Sequence, residues 1–353
     1  MNRIVLTVLS VILLIIFLFT ILPDYKQKEM SQQSAATLYV DERGQVTDAV
    51  VKLLGLTGVR ITGDKLPSGR DWPEAKLWLK SRDLKEVVAA VQGKIDPLIN
   101  WLGDAKKERW EEDPSKPKLQ LPQAIQIINT STATFKQSEQ VLPNTEAKGV
   151  LFLGAVLSRV RMRLAFLNHL YDTKQLPRDL RVYVLTGERV LDEKIGETQS
   201  ALMDSDNGII PFKSEWKKSD TIINDEGHMI QLVFAQSLTP TVNIDRVIFV
   251  YSHKGEGRRA TTESTVLQWL KDYSPSSGKY IAISNQPYVF YQEAVIRRTL
   301  LQAGRSDVQV QVVGPGKPAE MSQDDEVINL AKNLLNNLSR ILYELGQIES
   351  LTK

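Results

Sequence analysis

Five short apolar runs after Gly149, separated by segments of helical pattern, constrain this chain more than any other feature of its 353 residues. The runs are Val150–Gly154, Arg181–Thr186, Arg246–Tyr251, Tyr280–Ser284 and Val308–Val313. Each is too short for a stable helix, and a continuous apolar run such as Tyr280–Ile283 reads as a strand covered on both faces. Strands alternating with crossover helices predict the α/β class, with a mainly parallel sheet and helices on both faces. The fixed hand of such crossovers gathers the loops that follow the strands on one edge. Open α/β sheets hold their ligands at that edge.

The stretch Arg258–Gly304 carries the clearest local signals. Thr261 or Thr262 is expected to cap a helix, with Glu263 in its first turn, where a negative charge suits the dipole. Val266, Leu267, Trp269 and Leu270 form its apolar stripe. A turn follows at Ser274–Gly278, then the fourth strand. Asn285 is expected to cap the next helix, with Pro287 near its first position and Gly304 as its left-handed stop.

The remaining chain divides by pattern. Ile4–Leu22 is an apolar run long enough to span a bilayer and is expected to be an uncleaved signal anchor. The alternative is a signal peptide cut near Ala35-Ala36. Arg3 on one side and Lys26 with Lys28 on the other leave the orientation undecided by charge. Residues 23–36 read as a linker and 37–148 as a mostly helical accessory region. Its helical candidates are Val46–Leu56, Leu84–Val91, Pro97–Trp110 and Gln123–Leu142, the last polar enough to suggest a surface helix. Trp72, Trp78, Trp101 and Trp110 fall here, for core and interdomain packing or for a binding face. Residues 149–322 form the α/β domain and 323–353 a C-terminal amphipathic helix, which packs on the domain or binds a partner.

Composition removes several function classes. Lys+Arg number 44 against 42 Asp+Glu, so the basic excess of a nucleic-acid binder is missing. The sequence has no cysteine, which excludes disulfides, thiol catalysis and thiolate metal sites. His169, His228 and His253 do not have metal-ligand spacing, and no metal site is expected.

Four strand-exit loops supply the candidate site. The first runs from Gly154 through Arg159 to Arg161 and Arg163; it is not GxGxxG, so no dinucleotide fingerprint or other cofactor can be named. The second is Thr186-Gly187-Glu188-Arg189 and the fourth begins Asn285-Gln286-Pro287-Tyr288. The third holds His253, Arg258 and Arg259 and runs into Thr261 and Thr262. Free amides at a helix start attract anions, and arginines offer a planar fork suited to phosphate or carboxylate. The same loop also reads as a solvated basic turn with an ordinary cap. Glu263 and Glu226 are candidate general bases, if the fold brings them to the arginines.

Residues 149–314 resemble the SanA, ElyC and YdcF type of bacterial envelope domain. Gly154 with Arg161 or Arg163, Thr186-Gly187, Glu226, Ala260–Ser264 and Ile283–Tyr288 follow the order of that family's elements. Two asparagines of its fourth element are absent, and Tyr288 and Tyr291 stand where His and Arg are usual. The resemblance implies a Rossmann-like sheet behind a membrane anchor, in the bacterial inner membrane with the domain on the periplasmic side. It implies a role in envelope integrity. The ligand expected from the loops is an anionic small molecule or lipid headgroup, phosphate-bearing or nucleotide-like. Two other readings stand beside it: a hydrolase or transferase on a phosphorylated envelope intermediate, and a non-catalytic scaffold that has lost the family's site.

Overall fold

The computed structural model describes residues 38–41, 43–56, 86–87, 119–135, 146–218, 221–255, 259–316 and 323–352. In chain order the elements are α1 (Asp48–Leu56), α2 (Leu121–Phe135), β1 (Val150–Leu153), α3 (Leu157–Asp172), β2 (Val182–Gly187), α4 (Gln199–Leu202), α5 (Glu226–Ser237), β3 (Val247–Ser252), α6 (Thr262–Tyr273), β4 (Gly278–Ile283), α7 (Val289–Gln302), β5 (Val308–Val313) and α8 (Asp324–Thr352). The five strands form one sheet in the order β3-β2-β1-β4-β5. Every neighbouring pair is parallel, with Val150 of β1 opposite Val182 of β2 and Ile281 of β4. The fold is therefore α/β with a Rossmann-like parallel sheet, and each expected strand lies within two residues of its predicted ends.

Side-chain alternation along the strands builds two cores. Val150 and Phe152 of β1 join Val182 and Val184 of β2 and Ile281 and Ile283 of β4 under α3 and α5. Leu151, Leu153, Tyr183, Leu185 and Ala282 face the other way, toward α6, α7 and α8. Trp269 of α6 is fully buried between the rings of Tyr183 and Tyr280, each met edge to face. The chain runs outward from β1 through β2 to β3 with its crossovers on one face. It then returns to β4 beside β1 and continues to β5 on the other. The order reverses between β1 and β4, which is where a parallel sheet opens a crevice at its carboxyl edge.

Two expectations are corrected. Of the stretch expected to be a polar surface helix, the described part belongs to α2, whose Ala124, Ile127, Ile128 and Ser131 are buried against α1 and α8, and residues 136–142 lie outside the described residues. Ala124, Ile127, Ile128 and Ser131 follow the spacing of one helix face, which is the face that packs, while Ile125 stays exposed. Asn285 does not cap the helix that follows: α7 begins at Val289, with Tyr288 in the cap position and no side-chain cap. The Asn285 carboxamide is instead taken by a buried arginine, described below. Other expectations hold. Thr261 caps α6 in a reciprocal capping box with Ser264. Gly304, with φ of 68°, follows α7. The long C-terminal helix packs on α2 and α7 with Leu334, Leu338, Ile341 and Leu345 buried.

Ile4–Leu22, Pro97–Trp110 and the tryptophans at 72, 78, 101 and 110 lie outside the described residues, as does most of Leu84–Val91. Among the described residues, no helix is long and apolar enough to cross a membrane.

Candidate functional site

The carboxyl edge of the sheet is built around Arg163. This residue sits in the second turn of α3 and is only 2% exposed. Its Nη1 donates to the carbonyls of Leu153 and Gly154, at 2.7 and 2.9 Å. Its Nε and Nη2 donate to Asn285 Oδ1 at 2.9 and 2.7 Å, and Nη2 also reaches Ser284 Oγ at 3.4 Å. The guanidinium thus ties the end of β1 to the end of β4 across the crevice. All of these acceptors are neutral. Burial pushes the Arg163 pKa down to about 9, and the charge of Arg159 pushes the same way, with Glu226 offsetting part.

A second network closes the β1–β2 side. Arg189 makes a two-pronged pair with Glu197, both contacts at 2.7 Å, and gives its Nε to Glu226 Oε2 at 2.6 Å. Glu197 Oε1 accepts from the backbone N of Leu157, so a carboxylate meets the first amide of α3. The amides of Ser158 and Arg159 have no acceptor among the described residues. Burial opposes the charge on Arg189, but Glu197 and then Glu226 hold its pKa above the usual range. Glu226 is the weaker partner. Burial raises its pKa, against the lowering effects of Arg189 and Arg259. Its side chain keeps 12% exposure.

Gly154 is required by this geometry. A Cβ there would stand 2.3 Å from Glu226 Oε1 and 2.9 Å from the Leu185 carbonyl. The bare backbone therefore lets the carboxylate close on the end of β1. Gly187 does the same at the end of β2, where a Cβ would meet that of Ala260 at 2.2 Å. The β3–α6 loop thereby rests on β2, with the Ala260 amide donating to the Glu188 carbonyl. Thr186, one residue earlier, is buried with its hydroxyl unpartnered among the described residues.

The fold brings Gly154, Arg163, Gly187, Glu226, Asn285 and Tyr288 to this edge, and Arg259 is near enough to bias Glu226. Arg159 donates to Tyr288 Oη at 2.9 Å, with its guanidinium 4.5 Å from the ring centre. Other candidates are committed elsewhere. Arg161 donates to the carbonyls of Ala201 and Leu202 and anchors α4. Thr261 serves the α6 cap, and the Thr262 hydroxyl donates to Gln292 of α7. Glu263 pairs with Arg298 at 2.9 Å, and Arg298 also bonds Glu344 of α8, so Glu263 serves helix packing. His253 is 84% exposed and lies 3.6 Å from Glu188. Arg258 lies outside the described residues.

Sequence reading did not single out Arg189 and Glu197 as a pair. Arg189 was visible as an arginine at a strand exit, but Glu197 stands in an irregular connection with no local signal. Among the described residues, no cluster of acidic and histidine side chains could hold a metal ion.

Fold and site together define an α/β protein whose carboxyl edge gathers Arg159, Arg163 and Arg189 with the buried Glu197 and the partly buried Glu226. Comparison of the chain with family models, curated proteins and solved structures found no match.

Proposed function

We propose that the crevice between the ends of β1 and β4 binds a small anion, with a phosphate group as the best match to its donors. The observation that carries this reading is Arg163: a buried guanidinium bonded only to neutral acceptors, with a second arginine beside it. A buried cation without an anion in contact is costly. An anion at the start of α3 would offset that cost through space while the amides of Ser158 and Arg159 bind it directly. Arg159 and Arg259 add charge at the rim. The resemblance to the envelope family, with its membrane anchor, would set this site on a membrane-attached protein.

The test is calorimetric titration of the full chain with inorganic phosphate, pyrophosphate and mononucleotides at two salt concentrations. Arg159→Met or Arg259→Met is expected to weaken binding about tenfold to a hundredfold, the loss of one charge-assisted contact. Binding should weaken with salt. Unchanged affinity in the combined Arg159→Met/Arg259→Met variant would place the anion elsewhere.

Glu226 favours a second reading, hydrolysis or group transfer at the same site. A carboxyl whose pKa is raised by burial, held against the end of β1, has the character of a general base. In that case Glu226→Gln retains binding and abolishes turnover of a phosphate ester. If Glu226 only organises Arg189, the same change alters binding and there is no turnover to lose.

A further inference from the structure

One loop of the crevice carries a polar group that the anion reading does not use. Gln286 follows Asn285 at the end of β4 and is 2% exposed. Neither Nε2 nor Oε1 has a hydrogen-bond partner among the described residues. Its backbone is fixed on both sides: the amide donates to the Pro315 carbonyl, and its carbonyl accepts from Asn285 Nδ2. Asn337 of α8 is 3% exposed and donates from Nδ2 to the carbonyl of Pro287, the residue after Gln286. Its own Oδ1 is again unpartnered. Buried amides are almost always bonded, and a methionine or leucine would fill the same space at no polar cost. Three unsatisfied amide atoms around one proline therefore point to a missing polar partner.

The inventory of these atoms defines that partner. Gln286 offers a donor and an acceptor side by side, and Asn337 offers a second acceptor. Taken as one site, these atoms would complement an amino group, whose two hydrogens meet Oε1 and Oδ1, next to a ring nitrogen that accepts from Nε2. Adenine and cytosine carry that edge. Uracil presents one N–H between two carbonyls and leaves the two protein acceptors competing for a single donor. Asn285 is bound by Arg163 of α3, and two residues further along the same loop Pro287 meets Asn337 of α8, with Gln286 between them. A ligand with its phosphate at the start of α3 would pass over the end of β4 to reach it.

We propose that the crevice extends over β4 into a pocket for an amino-bearing nucleobase, read by Gln286 together with Asn337. This rests on the anion reading and narrows its ligand to a nucleotide. The experiment is titration of the full chain with AMP, CMP, UMP, ribose 5-phosphate and inorganic phosphate. AMP or CMP is expected to bind at least about tenfold more tightly than ribose 5-phosphate, the gain from a fully matched hydrogen-bonding edge. UMP should bind about as weakly as ribose 5-phosphate. Gln286→Met should reduce the favoured nucleotide to the ribose 5-phosphate level and leave the sugar phosphate unchanged. Asn337→Leu should act in the same direction.

If ribose 5-phosphate binds as well as every nucleotide, the base pocket is refuted while the anion site stands, and a buried water then satisfies the amides. If UMP matches AMP and CMP, the assigned edge is wrong. If no phosphate compound binds, the anion reading fails and this inference falls with it. A melting curve of the ligand-free variant guards against misfolding. Removing an unsatisfied amide should leave the Gln286→Met midpoint unchanged or raised, whereas a large drop would mean the amide is already bonded and would overturn the proposal.

Discussion

Arg163→Met tests whether the crevice is held open by one buried cation. The guanidinium has five N–H donors, and the structure gives each an acceptor. Methionine keeps much of the apolar stem and removes every donor. The carbonyls of Leu153 and Gly154 and the Asn285 carboxamide then lose a buried partner, at roughly 1–3 kcal/mol for each group left unsatisfied. Against this, removing a desolvated charge returns several kcal/mol. The opposing terms leave a net loss of about 2–4 kcal/mol, smaller than a count of the bonds implies. Arg163→Lys keeps the charge and loses the fork, so about 1–3 kcal/mol should be lost. Urea unfolding followed by circular dichroism reads both, with an unchanged slope required for the comparison. Phosphate titration separates the two roles. The methionine variant should lose about tenfold in affinity through the missing charge, and the lysine variant much less. Equal stability of Arg163→Met and the parent, together with equal phosphate affinity, would refute both the tie across the crevice and its electrostatic part.

The other predictions follow from the same networks. Glu226 has a folded-state pKa above its unfolded value, so its contribution to stability is fully present below about pH 4.3 and is lost as pH rises through the folded value. The stability of Glu226→Gln relative to the parent should therefore increase with pH across that window and then level off in urea titrations at a series of pH values; a decrease would reverse the assignment. Gly154→Ala should cost about 1–3 kcal/mol, because the new methyl overlaps Glu226 Oε1 and a backbone carbonyl. Arg298→Met leaves the buried Glu344 without its partner and should destabilise by about 3–5 kcal/mol, and adding Glu344→Gln should restore part of that loss. Trp269→Ala should cost about 3–5 kcal/mol by opening a cavity between Tyr183 and Tyr280, measured as a shift in the unfolding midpoint.

The sheet and its helices were legible because their signals are local. In the inner strands β1, β2 and β4, a run such as Val182–Leu185 is apolar on both faces, and only a sheet covered on both sides buries it. The α6 start was legible for the same reason, since Thr261 and Ser264 satisfy amides within one turn. The site was only partly legible. Sequence supplied arginines and glycines at strand exits but could not say which donors the protein would use on itself. Tertiary structure turned Arg161 toward α4, gave the Thr262 hydroxyl to Gln292 and tied Glu263 to Arg298. It also joined Arg163 to Asn285 across 122 positions of chain, and Arg189 to Glu226 across 37. Periodicity and capping depend on neighbours in sequence, whereas hydrogen-bond partners of a long polar side chain depend on which distant segments the sheet order brings within reach. That is why the fold class follows from the amino acids in order, and the identity of the buried charges and the unpartnered amides follows only from the packed sheet edge.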